Sequence, residues 1–408
     1  MRSVRFNFSV SLKKFVLRCV TSIGFLRCAF VLAYGALVAI RSRKVKVLAR
    51  SWLCRKNIVV YCNQQGHLRA VVGLANMISR RRNVLLLTSF DAGLADGLSE
   101  KVKIEGNFKQ ECILLVGAKI FVTPVVGFPS ENRPLLSKTI HLMISLGSVS
   151  GLYRQDHFDG YDYIFCAGPR QIEELSTLFR KRNLKNKRLI RGGYPKLDLQ
   201  IQSSHFHRER DSNCPTILYA PTHRVEGVND DSVSLARFAK LIISTLLDAG
   251  FKVVFRPHPV SFNDSDQVTI EEIDGEFARN KKYSLDSTSN YMKSYSSSDI
   301  LLTDLSGTAF TYAFSFLRPV IFFLPENKIC GQRSQFHSDC SEIGAFVHEA
   351  SDLPSICLNL IEDQGGAEKI SNFRSKFIYN LGRSNEYLSS CIELLLTNKR
   401  DPEWVSFD

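Results

Sequence analysis

The chain has 408 residues, of which 44% are hydrophobic, 23% charged and 11% aromatic, and this composition excludes a disordered chain, a coiled coil and a collagen-like fibre. Its net charge of +13 is concentrated at the start, because 17 Lys and Arg residues precede the first acidic residue, Asp91. The nearly neutral remainder argues against a nucleic-acid partner, whose binding would require basic residues across one face. A basic end on a neutral body is typical of contact with an anionic membrane surface.

Residues 1–55 form this basic and apolar N-terminal segment. The stretch 15–40 is mostly apolar, but Arg18 and Arg27 interrupt it, and its longest uncharged run is Cys28–Ile40. A membrane-spanning helix needs about 20 apolar residues. We therefore predict a helix that lies in the membrane interface. A true membrane span and a core helix of the N-terminal domain remain as alternatives.

From residue 57 onwards, short β-rich runs alternate with helical patterns, as in a parallel sheet with crossover helices. The predicted strands are Asn57–Cys62, Val84–Leu87, Ile120–Thr123, Asp162–Cys166, Thr216–Ala220, Lys252–Phe255, Ile300–Thr303 and Val320–Phe323. The predicted helices are Leu68–Ser79, a segment carrying Ile172, Leu175 and Phe179, Leu235–Leu247 with Leu241 on its apolar stripe, Thr308–Phe316 and Glu386–Thr397.

A polar run at 202–213 is typical of a linker. It divides the body into an N-terminal Rossmann-like acceptor domain (56–203) and a C-terminal Rossmann-like donor-nucleotide domain (204–375), followed by a helix (376–408) that packs back on the body. We predict an α/β protein of the GT-B class, in which two parallel sheets face a central cleft. Ligands of open parallel sheets bind beyond the carboxyl ends of the strands.

Three polar loops follow predicted strands of the C-terminal half. The first contains Thr222, His223 and Arg224, which offer a hydroxyl, an imidazole and a phosphate-binding guanidinium. The second contains Arg256 and then His258, which stands between two prolines that restrict its backbone, as a positioned acid or base requires.

The third loop joins the strand 300–303 to the next helix, and its hydroxyl, carboxyl and glycine residues suit a phosphate at a helix N-terminus. These residues are Thr303, Asp304, Ser306, Gly307 and Thr308. In the N-terminal half, His67 follows the first strand, and His141 precedes Ser145 and Ser148 in a Gly/Ser-rich stretch that could be a cleft loop.

Several of these segments together resemble the CDP-glycerol glycerophosphotransferase family, the teichoic-acid and capsule polyol-phosphate polymerases. The matching blocks, in the order of the family, are Gly193-Tyr-Pro-Lys-Leu-Asp198, Ile217-Leu-Tyr-Ala-Pro-Thr222 with His223-Arg224, Arg256-Pro-His-Pro259, Ser298-Asp-Ile-Leu-Leu-Thr-Asp304 with Ser306, and Pro319-Val-Ile-Phe-Phe323. The resemblance implies a GT-B fold, no essential metal or other cofactor, a CDP-alcohol donor held by the C-terminal domain, and attachment to the cytoplasmic face of the cell membrane.

The resemblance also implies roles for single residues. His258 corresponds to one of the family's two important histidines, the loop 303–308 would hold the donor phosphates, and Arg224 would assist. The family's other histidine belongs to a Trp-His-Gly-like block, and the matching stretch Leu142–Gly147 contains no histidine. His67 or His141 could substitute for it, or His258 could act alone.

We therefore predict a transferase that moves a polyol phosphate from a CDP-alcohol to a hydroxyl of a lipid-linked or polysaccharide acceptor and releases CMP, with a histidine as general base. One alternative is a GT-B glycosyltransferase that uses a nucleotide sugar for surface polysaccharide. A further alternative is a non-catalytic, membrane-associated binding protein.

Overall fold

The computed structural model describes residues 24–53, 58–128, 132–134, 136–203, 214–223, 233–264, 266–288, 290–325 and 335–408. These residues belong to two compact α/β units. The first unit comprises the chain up to Ile144, then Tyr153–Pro195 and Arg383–Asp408. The second comprises Ser145–Leu152 and Lys196–Gly382, so the short segment 145–152 belongs with the C-terminal half.

The strands in the described ranges are β1 (Ile58–Cys62), β2 (Val84–Thr88), β3 (Val102–Glu105), β4 (Ile120–Thr123), β5 (Lys138–Leu142), β6 (Tyr163–Cys166), β7 (Lys187–Arg191), β8 (Thr216–Tyr219), β9 (Lys252–Phe255), β10 (Tyr283–Leu285), β11 (Ile300–Thr303), β12 (Val320–Phe323), β13 (Gly344–Val347) and β14 (Val405–Phe407).

The α-helices in the same ranges are α1 (Gly24–Arg41), α2 (Val45–Leu53), α3 (Leu68–Ser79), α4 (Val149–Leu152), α5 (Pro169–Lys181), α6 (Pro195–Ser203), α7 (Leu235–Asp248), α8 (Gln267–Phe277), α9 (Met292–Ser297), α10 (Gly307–Phe316), α11 (Gln335–Ser341), α12 (Leu353–Glu362), α13 (Gly366–Phe377) and α14 (Ser384–Leu396).

The first unit is built on a sheet of order β14-β7-β6-β5-β4-β1-β2-β3. All neighbouring strands are parallel except β14, which pairs antiparallel with β7. Central strands such as β1 are buried along their whole length, as expected when helices cover both faces of a parallel sheet. Helix α14 joins the core cluster that contains α3 through Leu388, Ile392 and Leu395, so the C-terminal helix returns to the first unit.

Helix α1 covers part of the predicted interfacial segment, while residues 15–23 lie outside the described ranges. Its Gly35 lies against the turn Gln110–Leu115, where the Gly35 carbonyl accepts a hydrogen bond from the Cys112 thiol. Ala39 is buried, whereas Leu37 and Ile40 are 66% and 67% exposed. Within the described ranges, no helix combines the length and apolar character needed to cross a membrane.

The second unit contains a parallel sheet of order β10-β9-β8-β11-β12-β13. Helix α7 packs on it through Leu235, Ala239, Ile242 and Leu246. The prediction that Leu241 belongs to this buried stripe was wrong, because its side chain is 54% exposed. In the order of this sheet, β8 stands between β9 and β11, so the three predicted polar loops begin at adjacent strand ends.

Candidate active site in the second unit

Backbone hydrogen bonds tie the starts of the three polar loops together. The Arg256 amide donates to the Tyr219 carbonyl at 2.8 Å, and the Ala220 amide donates to the Leu302 carbonyl at 2.9 Å. The sheet register therefore continues one residue past the ends of β8 and β9. The structure brings together the loops that the sequence predicted to form the donor site.

Asp304 fixes the backbone of the first loop. Its side chain is buried, and its two carboxylate oxygens accept hydrogen bonds from the amides of Thr222 at 2.8 Å and Ser234 at 3.0 Å. Burial raises the pKa of Asp304 to about 6, against the lowering effect of these hydrogen bonds. The neighbouring Thr303 hydroxyl donates to the Ala220 carbonyl at 2.7 Å. Asp304 and Thr303 thus hold the loop, whereas the sequence predicted them as phosphate ligands.

The N-terminus of α10 is the part of the third loop with the geometry of an anion site. Ser306 is the N-cap, and its hydroxyl accepts from the Thr308 amide at 3.2 Å. At Gly307, an added Cβ would lie 2.6 Å from the Ser145 hydroxyl and 2.7 Å from the Gly147 nitrogen. The loop 145–147 therefore lies directly against the start of α10. Unpaired amides and the helix dipole at such a terminus attract a phosphate.

His258 is held between Pro257 and Pro259 at the start of a short 3₁₀ turn. Its Nδ1 accepts a hydrogen bond from the Val260 amide at 3.3 Å. Its ring stacks on the ring of His223, with 4.5 Å between the ring centroids and 28° between the planes. Although His258 as a residue is exposed, the surrounding protein atoms desolvate its ring and, with His223 and Arg256, lower its pKa to about 4.

The lowered pKa of His258 and the hydrogen bond at its Nδ1 together determine its tautomer. A pKa of about 4 keeps the ring neutral at pH 7. A neutral imidazole has one N–H, and because Nδ1 accepts the Val260 amide hydrogen, the proton lies on Nε2. The free nitrogen is therefore a hydrogen-bond donor. That arrangement suits contact with a phosphate oxygen, whereas the predicted role of general base requires an unprotonated nitrogen facing the substrate.

Arg256 was predicted to bind substrate, but its side chain makes a buried structural contact. Its guanidinium pairs with Asp286 at 2.5 Å, where the two side chains are 8% and 12% exposed, and also donates to the Thr288 carbonyl at 2.8 Å. Ser294 donates a further hydrogen bond to Asp286. Arg256 thus fixes the segment after β10. This role could not be predicted from the sequence alone, because the partner Asp286 follows a neighbouring strand of the sheet.

The remaining predicted histidines lie in the first unit. His67 is half-buried in the turn after β1. His141 lies within β5 with no exposed surface, and its ring is packed 4.9 Å from the ring of Tyr161 and 5.5 Å from that of Phe158. Burial lowers its pKa to about 3. The strand position thus makes His141 a core residue, where the sequence suggested a cleft loop.

Other predicted site residues have different outcomes. Arg224 lies outside the described ranges. Ser148 bonds with Ser150 at 2.9 Å, next to the loop that contacts Gly307. Ser234 was not predicted as part of the site, because it carries no motif of its own; its contact with Asp304 identifies it. Among the described residues, no group of three or more His, Cys, Asp or Glu side chains could hold a metal ion.

The block Gly193–Asp198 marks the passage of the chain from the first unit to the second. The Tyr194 hydroxyl donates to the Ile144 carbonyl at 2.5 Å within the first unit. The Asp198 carboxylate, which is buried, accepts from the Gly382 amide at 2.7 Å within the second. Both side chains are therefore structural in this connection.

Comparison with solved structures shows the fold. A variant of the wall teichoic acid polymerase TagF has a TM-score of 0.61 and 16% identity, covering 95% of this chain and 98% of that chain. A putative UDP-N-acetylglucosamine 2-epimerase from Listeria monocytogenes has a TM-score of 0.60 and 11% identity, covering 86% and 99%. The Methanocaldococcus jannaschii UDP-GlcNAc 2-epimerase has a TM-score of 0.58 and 12% identity, covering 83% of this chain and 99% of that chain. The predicted α/β, GT-B class of fold is confirmed.

Comparison with known sequences shows the family. No curated protein sequence matches the chain significantly. The sequence model of the family described as CDP-Glycerol:Poly(glycerophosphate) glycerophosphotransferase matches residues 149–394, more than half of the chain. This range contains all three loops of the site. The chain therefore belongs to the CDP-glycerol:poly(glycerophosphate) glycerophosphotransferase family, as its motifs predicted.

Proposed function

We propose that this enzyme transfers a polyol phosphate, with glycerol phosphate as the first candidate, from a CDP-alcohol to a hydroxyl of a lipid-linked or saccharide acceptor. The observation that carries the proposal is the arrangement in the second unit, where His258 and the N-terminus of α10 follow strands on either side of β8. Family membership supports the donor class. A structural neighbour is a wall teichoic acid polymerase, which supports a cell-surface polymer as the product.

In the proposed reaction, the acceptor oxygen attacks the phosphorus that carries the alcohol, and CMP leaves. Negative charge then develops on the phosphoryl oxygens and on the departing CMP. The amides of Ser306 and Gly307 and the Nε2–H of His258 are donors that the described part of this unit offers to that charge. Preorganised donors of this kind stabilise a transition state without reorganisation, and one such donor contributes about 10²–10³-fold in rate.

Nucleotide release tests this proposal. Purified protein is incubated with a bacterial membrane fraction as acceptor and with CDP-glycerol, CDP-ribitol, UDP-sugars or CMP-sugars, and the released nucleotide is identified by chromatography. We expect CMP from a CDP-alcohol. Release of UDP from a UDP-sugar, or of CMP from a CMP-sugar alone, would instead establish a glycosyltransferase. Donor binding with no turnover on any donor would point to a non-catalytic protein.

We also propose that α1, the turn after it and the start of α2 rest on an anionic membrane surface. Leu37, Ile40 and Val45 are 66%, 67% and 50% exposed, and Arg41, Arg43 and Lys46 stand beside them in the sequence. An apolar face flanked by basic residues is typical of interfacial helices. The opposite side of α1, at Gly35, packs on the first unit, so the helix would anchor the body to the surface.

Sedimentation with vesicles tests the membrane proposal. The protein should pellet with vesicles that contain phosphatidylglycerol and remain in the supernatant with neutral phosphatidylcholine vesicles. Replacing both Leu37 and Ile40 by serine should abolish pelleting, because it removes the apolar contact and leaves the basic charge. The matched control replaces the exposed Leu358 of the second unit (49% exposed) by serine. Equal pelleting of the double variant would disprove the assignment of this surface.

A further inference from the structure

His223 is brought to the proposed reaction centre by the register of the sheet. It follows β8, His258 follows the neighbouring strand β9, and the two strands pair with Tyr219 opposite Phe255. Loops that leave adjacent parallel strands at the same level carry their side chains towards each other, and here the two rings stack with 4.5 Å between their centroids. The sequence predicted His223 as a substrate-binding residue and not as a proton acceptor.

The loop that carries His223 is restrained just before this residue. Immediately before it, the Thr222 amide donates to Asp304 at 2.8 Å, and the Ala220 carbonyl accepts from the Thr303 hydroxyl at 2.7 Å. His223 itself is half-buried, so part of the residue remains exposed to solvent. A catalytic side chain needs this combination of fixed backbone and access.

The reaction requires a proton acceptor, and the geometry of His258 does not supply one. The Val260 amide donates to Nδ1 of His258, so Nε2 carries the proton and acts as a donor. Two other histidines of the described part of this unit are held elsewhere: His348 pairs with the Leu324 carbonyl, and His337 stacks on Phe346. His223 is the imidazole that stands next to His258.

We propose that His223 is the general base of this enzyme, while His258 donates a hydrogen bond to the transferred phosphoryl group. The inference rests on the proposed function. The acceptor O–H bond breaks and its proton passes to a ring nitrogen of His223. The acceptor oxygen forms the new O–P bond, and the P–O bond to CMP breaks with its electron pair remaining on the CMP phosphate.

The test compares His223→Gln and His223→Ala with the wild type for CMP release from CDP-glycerol, with the membrane fraction as acceptor. A glutamine side chain cannot take up a proton at neutral pH. Both variants should lose about 10²–10⁴-fold in kcat, while their dissociation constants for CDP-glycerol, measured by calorimetry, stay within about threefold of the wild-type value. His337→Gln is the matched control, a half-buried histidine stacked on an aromatic ring of the same unit, and it should retain the wild-type rate.

Chemical rescue separates a base from a merely structural residue. Added imidazoles should partly restore turnover by His223→Ala, and the restored rate should rise with the basicity of the imidazole. Wild-type turnover by His223→Gln, or a loss explained by weaker CDP-glycerol binding and unaffected by imidazoles, would overturn the assignment. Absence of CMP release by the wild type with any CDP-alcohol would instead overturn the proposed function, so the two failures are distinguishable.

Discussion

Replacing His258 by alanine is expected to lower kcat for CMP release about 10²–10³-fold, the usual effect of removing one transition-state donor. The fold should survive, because His258 is exposed and Val260, whose amide donates to it, is also an exposed residue. Single-turnover measurement of CMP release gives the rate, and circular dichroism with thermal unfolding checks the fold. Wild-type turnover by a folded His258→Ala protein would contradict the site assignment.

Replacing His258 by glutamine tests which role it performs. The glutamine amide N–H can occupy roughly the place of Nε2–H, so this variant should recover part of the rate that the alanine variant loses. The result should be the reverse of that for His223, where glutamine is expected to be as inactive as alanine. If glutamine restores activity at position 223 and not at 258, the assignments of donor and base are exchanged.

Replacing Gly307 by alanine is expected to weaken CDP-glycerol binding about tenfold or more, equivalent to at least about 1.4 kcal/mol. The new Cβ would stand 2.6 Å from the Ser145 hydroxyl and 2.7 Å from the Gly147 backbone nitrogen. Because one of these atoms belongs to the main chain, the loop 145–147 must move away from the start of α10. Calorimetry with CDP-glycerol measures the effect.

The control for this variant is Gly275→Ala in α8. A Cβ at Gly275 would meet no atom within 4 Å, so alanine there should raise stability slightly through its higher helix propensity, by up to about 1 kcal/mol. CDP-glycerol affinity should remain at the wild-type value. Wild-type affinity in both variants would show that the start of α10 does not bind the donor.

The central strands were predictable because each is a short run of mostly apolar residues between polar loops. Thus β4, β9, β11 and β12 begin and end where the sequence placed them. The missed strands carry charge or lie at sheet edges, such as β7 (Lys187–Arg191) and β14 (Val405–Phe407). Their pairing is determined by neighbours distant in the sequence, and a local pattern does not record it.

The site was predictable in its loops but not in the roles of its side chains. Strand ends indicated where polar residues would meet, and the blocks around them identified the family. Whether a polar group faces a ligand or the protein depends on partners elsewhere in the chain. Asp304 accepts hydrogen bonds from the amides of Thr222 and Ser234, and Arg256 forms an ion pair with Asp286. His141 is surrounded by aromatic rings of distant segments.

The position of bond cleavage is the most direct test of phosphoryl transfer. CDP-glycerol is labelled with ³²P at the phosphorus that carries glycerol and is incubated with the enzyme and the membrane fraction. The proposed reaction moves the label into the acceptor polymer and releases unlabelled CMP. Label remaining in released CDP, with unlabelled glycerol in the product, would show cleavage of the carbon–oxygen bond and would contradict phosphoryl transfer.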